Sequence, residues 1–171
     1  MRYRASRCRR PPPTPAAMSD IAELLNDTTA GRAVVIGTTT LVVVLCVILH
    51  YEALNVFSRL MRLMRLAPRL RVMMLIFAIL GIHVTEIWIF GFGYWGLSAT
   101  PGHGGLVANH PIGLVDDVYF SAVCYTTLGL GDIAPLGAIR FLAGTEALAG
   151  FVLLTWSASF TFVEMQRFWR P

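Results

Sequence analysis

Three apolar stretches constrain this chain most: residues 33–49, 72–97 and 138–163. A helix needs about 17–25 apolar residues to cross a bilayer. The first stretch sits at the short end of that range. The second reaches about 39 Å at 1.5 Å per residue, enough to cross with tilt. Lipid offers no partner to a bare backbone, so these runs read as helices. Charged residues make up only 14% of the chain, against about 25% in soluble domains. The expected class is therefore an all-α membrane protein. The formal charge of +4 comes from arginines lying between apolar runs. Cytoplasmic membrane flanks explain them better than a nucleic-acid surface does.

Four regions follow. Residues 1–30 begin with the basic, proline-rich "MRYRASRCRRPPPTPAA" and continue into the acidic "MSDIAELLND". The first part reads as a disordered tail, and without an apolar core it makes a poor signal peptide. Met18 is a second candidate start, and the sequence leaves that open. Residues 31–71 hold the first span and a basic linker. Arg59, Arg62 and Arg65 are spaced by three, as in a voltage sensor. One preceding span supplies too few acidic partners for that, and Pro68 interrupts the helix, so an interfacial helix on the anionic inner leaflet is expected. Residues 72–163 hold the other two spans and their link, and residues 164–171 form a short cytoplasmic tail. Arg59, Arg62, Arg65, Arg69, Arg71, Arg167 and Arg170 fall on one side by the positive-inside rule. That puts the C-terminus inside, the N-terminus outside and the protein in a cell inner membrane. Cys8, Cys46 and Cys124 show neither ligand spacing nor an obvious disulfide pair, and read as small hydrophobes.

The link between spans two and three, residues 98–137, has two parts. "SATPGHGGLVANHPIG" is turn-rich and reads as a solvent-facing loop. "LVDDVYFSAVCY" is apolar but too short to span, at about 18 Å if helical, and reads as a re-entrant helix. Asp116 and Asp117 lie near its N-terminus, where negative charge suits the helix dipole. "TTLGLGD", residues 126–132, follows directly. Returning backbone survives at membrane depth only if protein buries it or it lines a wet cavity. Gly129 and Gly131 permit the unusual dihedrals that aim successive carbonyls to one side. Such a column, with a threonine hydroxyl, can replace a cation's hydration shell.

On "DDVYFSAVCYTTLGLGDIAP" the chain resembles the potassium channel family, whose common filter reads Thr-Val-Gly-Tyr-Gly-Asp. With "HVTEIW", "TEALAG" and "LTWSASF" it is similar to small bacterial two-pore-type channels carrying one pore loop per chain. The resemblance covers about residues 70–163. Of the three transmembrane helices that the apolar runs predict, it implies that the second and third flank a re-entrant pore helix and selectivity-filter loop. It makes residues 72–163 a pore domain of outer helix, pore loop and inner helix. It implies that Thr127 gives the innermost ion site with hydroxyl and carbonyl, that Leu128, Gly129 and Leu130 give further carbonyls, that Gly131 closes the column and that Asp132 stands at the mouth. One loop is a quarter of a ring, so a homotetramer in a lipid membrane is implied. Gly150 matches a gating hinge, with close packing beside Ala143, Gly144 and Ala147 the competing reading. Two positions depart from the family: Leu128 replaces valine and Leu130 replaces the bracing tyrosine. Tyr119 and Phe120 stand where the family often has tryptophans. Phe120 has no donor for Asp132, so a less rigid and less selective filter is expected.

His83 and Glu86 lie in the second span and Glu146 in the third. Ionisable groups there invite a functional reading. A His-x-x-Glu pair could hold a metal, but His50, His103 and His110 are expected at a membrane edge or in loops and do not complete a site. Glu86 and Glu146 are expected to support the pore helix by hydrogen bonds. Trp88, Tyr94, Trp95 and Trp169 fit interfacial aromatic belts. The resulting expectation is a passive, potassium-selective channel with no cofactor, no metal beyond the transported ion, no enzymatic chemistry and no nucleic-acid partner. A non-conducting scaffold or regulatory subunit is the alternative, and an intramembrane metal-dependent enzyme a weaker one.

Overall fold

The computed structural model describes residues 29–63 and 67–169. Its helices are α1 (Thr29–Leu63), α2 (Pro68–Ser98), the short α3 (Leu114–Tyr125) and α4 (Arg140–Trp169), the last entered through a 3-10 turn at Gly137–Ile139. Three of the helices are long and apolar enough to cross a membrane, while α3 is only 12 residues long. The architecture is thus the expected all-α membrane fold with one short helix between spans two and three.

Each boundary has a local cause. Pro68 suits the first turn of α2, because its missing N–H would have no helical partner there. At α3 the Asp116 carboxylate accepts the Gly113 N–H at 2.8 Å, which ties the helix start to the incoming loop. Hydroxyls inside the spans return to their own helix. Thr39 donates to the Val35 carbonyl at 2.7 Å and Thr85 to that of Gly81 at 2.9 Å, so neither leaves an unmet donor in apolar surroundings.

Three features differ from the sequence expectation. The first helix runs unbroken to Leu63, carrying Arg59 and Arg62 as its last turns rather than as a separate interfacial helix. Arg65 lies outside the described residues. The turn-rich link between α2 and α4 also contains a two-stranded antiparallel ribbon, β1 (Gly105–Val107) with β2 (Ala134–Leu136), in which Leu106 faces Pro135. The Ile139 N–H also donates to the His103 carbonyl at 3.0 Å. Ribbon and bond clamp the chain entering α3 to the chain leaving the loop after it. The segment from Glu164 continues α4 as helix to Trp169 rather than forming a separate tail.

The core is shared by all four helices: Val35, Val42 and Cys46 of α1, Phe90 and Tyr94 of α2, Phe120 and Tyr125 of α3, and Leu142 and Leu153 of α4. Leu41, Phe77 and Leu148 point outward, each about two-thirds exposed. Lipid satisfies such side chains as well as protein does, so close packing and buried hydrogen bonds hold the helices together. Trp88 and Trp95 are exposed, as belt residues would be, but Tyr94 is fully buried. The belt reading therefore fails for Tyr94, whose hydroxyl has a partner in the core. The Trp169 side chain lies outside the described residues.

Candidate functional site

The loop after α3 carries the structure's most unusual backbone. Thr127, Gly129 and Gly131 have φ of 58°, 60° and 79°, while Leu128 and Leu130 between them stay at negative φ. Left-handed φ comes cheaply to glycine, but costs a residue such as threonine roughly 1–2 kcal/mol. Alternation in the sign of φ is a backbone pattern that can turn successive carbonyls to one side. The amides show which side is the scaffold. Thr127 N–H donates to the Cys124 carbonyl at 2.9 Å, and Leu128 and Gly129 N–H reach the Val123 carbonyl at 3.0 and 3.4 Å. The C-terminal turn of α3 thus holds the amides of Thr127, Leu128 and Gly129. All seven residues from Thr126 to Asp132 are exposed on the single chain.

Three side-chain ties brace this loop. Tyr119 donates to Asp132 Oδ2 at 2.8 Å. As expected, Phe120 gives Asp132 no donor: it packs edge-on against Tyr94, with ring centroids 5.0 Å apart, and the donor comes instead from the neighbouring Tyr119. The bond also pushes the Tyr119 hydroxyl above its ordinary range. Next, Ser121 lies 2.5 Å from Glu146 Oε1 and donates to the Ile87 carbonyl at 2.8 Å, while Tyr94 donates to Glu146 Oε2 at 2.5 Å. Finally, Tyr125 donates to Glu86 Oε2 at 2.5 Å. Glu86 and Glu146 are both fully buried, and each joins α3 to a spanning helix.

Gly150 of α4 has a packing reason. A Cβ there would sit 2.2 Å from the Tyr125 carbonyl oxygen, and one at Gly91 would sit 2.6 Å from Val118 Cγ2. Glycines on both sides thus let α2 and α4 close on α3. Gly144, of the same proposed small-residue face, meets nothing within 4 Å.

At the entrance to α3 the two aspartates differ. Asp116 is held below the usual carboxylate range by the Gly113 N–H and then by His110, 3.3 Å away. Asp117 is buried, and its Oδ1 has no hydrogen-bond partner among the described residues. Burial, and then the charge of Asp116, raise it to about 6. His103 is bound within its own loop by Thr100.

His50 overturns a sequence expectation. It is not at an edge but fully buried inside the bundle, with Nδ1 3.0 Å from Glu86 Oε1. No signal within α1 announced this, since its partners come from α2 and α4. A family model described as "Ion channel" matches residues 82–167, half of the 171-residue chain. No curated protein and no solved structure matches it.

Proposed function

Because the chain belongs to the ion channel family, we propose that it is a passive, potassium-selective cation channel whose filter is residues 127–131 from four chains. The observation that carries this is the alternation of φ at Thr127, Gly129 and Gly131, with the amides of Thr127, Leu128 and Gly129 held by α3. With those amides engaged, the loop's carbonyls would be free to turn toward a shared axis. There the carbonyls of Thr127, Leu128, Gly129 and Leu130 would take the place of a potassium ion's water, with Gly131 closing the column. Ions would bind at several levels and leave by mutual repulsion. Asp132 would stand at the mouth, and Asp116 and Asp117 would add to the negative field that gathers cations.

In this reading Glu86, Glu146, Tyr119 and Phe120 hold the pore helix and loop. Leu130 brings no hydroxyl, so bracing of the outer filter rests on the Tyr119–Asp132 bond. Close packing against Tyr125 accounts for the glycine at 150, and a gating hinge there is not required. The membrane is proposed to be a cell inner membrane, with the arginine-rich α1–α2 link inside and the loop outside.

The test is reconstitution of the purified protein into potassium-loaded vesicles. Barium-sensitive flux that disappears in Gly129→Ala supports the proposal. Absence of flux from correctly assembled protein would leave a scaffold or regulatory role instead.

A further inference from the structure

Four helices send polar side chains to one buried point that ion conduction does not use. His50 comes from α1, His83 and Glu86 from α2, Tyr125 from the end of α3, and Ser157 from α4. Each is less than a tenth exposed. Both imidazoles turn Nδ1 toward the Glu86 carboxylate, His50 at 3.0 Å and His83 at 3.1 Å. The Tyr125 hydroxyl lies 2.9 Å from His83 Nδ1 and 2.5 Å from Glu86 Oε2. Both Nε2 atoms then meet one oxygen, Ser157 Oγ, at 3.2 and 3.1 Å.

Hydrogen-bond bookkeeping shows what this cluster lacks. If both histidines are neutral and donate through Nδ1 to Glu86, both Nε2 atoms are acceptors. Ser157 has a single hydrogen to give, so one nitrogen would face an oxygen lone pair in a buried site. The cluster also carries the unbalanced charge of Glu86 in that state. One further proton on either imidazole would mend both faults, and so would a divalent ion in place of the two Nδ1 hydrogens. Each imidazole then binds the ion through Nδ1 and donates Nε2–H to Ser157 Oγ, which has two lone pairs. An outer acceptor fixing the ring in this way is a recurring feature of metal-bound histidines.

The geometry points to a divalent transition-metal site formed by His50, His83, Glu86 and Tyr125, with Ser157 behind both rings. Two imidazole nitrogens, a carboxylate and a phenol oxygen suit zinc or its borderline neighbours better than magnesium or calcium. One candidate ligand atom from each of His50, His83 and Glu86 already lies within 4.8 Å of the others. Bonds of about 2.0–2.1 Å put tetrahedral ligands about 3.3 Å apart, so the imidazole–carboxylate contacts, at 3.0 and 3.1 Å, would open by a few tenths of an ångström and the Tyr125–Glu86 contact, at 2.5 Å, by about 0.8 Å. A cleft of about 500 Å³, lined by Ile79, His83, Leu154 and Ser157 among others, gives a way in. The site ties α1 to Tyr125, two residues before Thr127. A bound ion would therefore couple the first helix to the base of the loop.

The test reads binding, so it is independent of whether the protein conducts. Full-length protein, stripped with chelator, is titrated with Co²⁺ and followed by its visible absorption, then with Zn²⁺ as competitor. The expected result is one Co²⁺ per chain, displaced by Zn²⁺. Affinity should fall by about 10–100-fold in Ser157→Ala, and the signal should be lost in His50→Gln and His83→Gln. X-ray absorption of the zinc-loaded wild type should show two imidazole ligands, and this needs no variant to fold. No saturable uptake by the wild type, meaning that protons alone fill the cluster, would overturn the assignment. So would uptake that survives the double histidine substitution, or a zinc spectrum without imidazole.

Discussion

Gly150 lies so close to Tyr125 that a methyl group on it would fall 2.2 Å from the Tyr125 carbonyl oxygen. Helix α4 therefore touches the backbone from which the exposed loop departs. Alanine normally favours a helix over glycine by about 1 kcal/mol. Here overpacking should outweigh that gain, so Gly150→Ala should destabilise the fold by about 1–3 kcal/mol. Thermal unfolding in detergent checks the sign. A stabilised variant would mean that α4 can stand away from α3 at no cost.

Glu146 joins Tyr94 and Ser121 from two other helices. Truncating it leaves the buried Tyr94 hydroxyl without its carboxylate acceptor, a loss of roughly 1–3 kcal/mol, and takes from Ser121 one of its two contacts, that to the Ile87 carbonyl remaining. Glu146→Ala should therefore lose about 2–4 kcal/mol and impair assembly. Glu146→Gln keeps the shape and one acceptor, so it should lose less. If Glu146→Gln and Glu146→Ala both leave assembly, current and pH response unchanged, the supporting role is wrong.

Tyr119 and Asp132 meet at the exposed end of the loop, 2.8 Å apart. Removing one hydroxyl in Tyr119→Phe should barely alter unfolding, because both groups face solvent. Selectivity should respond more, with sodium permeability rising relative to potassium. Bi-ionic reversal potentials measure this, and an unchanged ratio would show that the loop is held by its backbone ties alone.

Asp117 gives the fold a pH dependence. Its folded pKa, about 6, stands above the ordinary aspartate value of 3.8. The folded state therefore holds the proton more tightly, and the stabilisation is complete below about pH 4. It is lost as pH rises through about 6. Melting temperature should fall over that window in the wild type, and less so in Asp117→Asn. At pH 7 the asparagine variant should be more stable by about 1 kcal/mol. A wild-type profile flat from pH 4 to 7 would contradict this.

Much of the fold was legible because the bilayer imposes few solutions. The three apolar runs became spanning helices, and "LVDDVYFSAVCY" became α3 with the expected limits, Leu114–Tyr125. Misreadings came where partners lie far apart in sequence. His50 and Tyr94 sit on apolar helices, and nothing local distinguishes a buried polar tip from an interfacial one. Their partners, Glu86 and Glu146, are 36 and 52 residues away. The ribbon escaped notice because its strands are three residues each, set among glycines and prolines. At the loop, glycine spacing announced the backbone at Gly129 and Gly131. The left-handed Thr127 carried no such mark, since its geometry is imposed by the amide ties to α3.

Structure determination of the assembled protein by electron microscopy, in high potassium, tests the central claim most directly. The account predicts four copies of residues 127–131 around one axis, with ion density between rings of carbonyl oxygens from Thr127, Leu128, Gly129 and Leu130. Finding Gly129 and Gly131 against lipid, or enclosed within one subunit away from any common path, would contradict it.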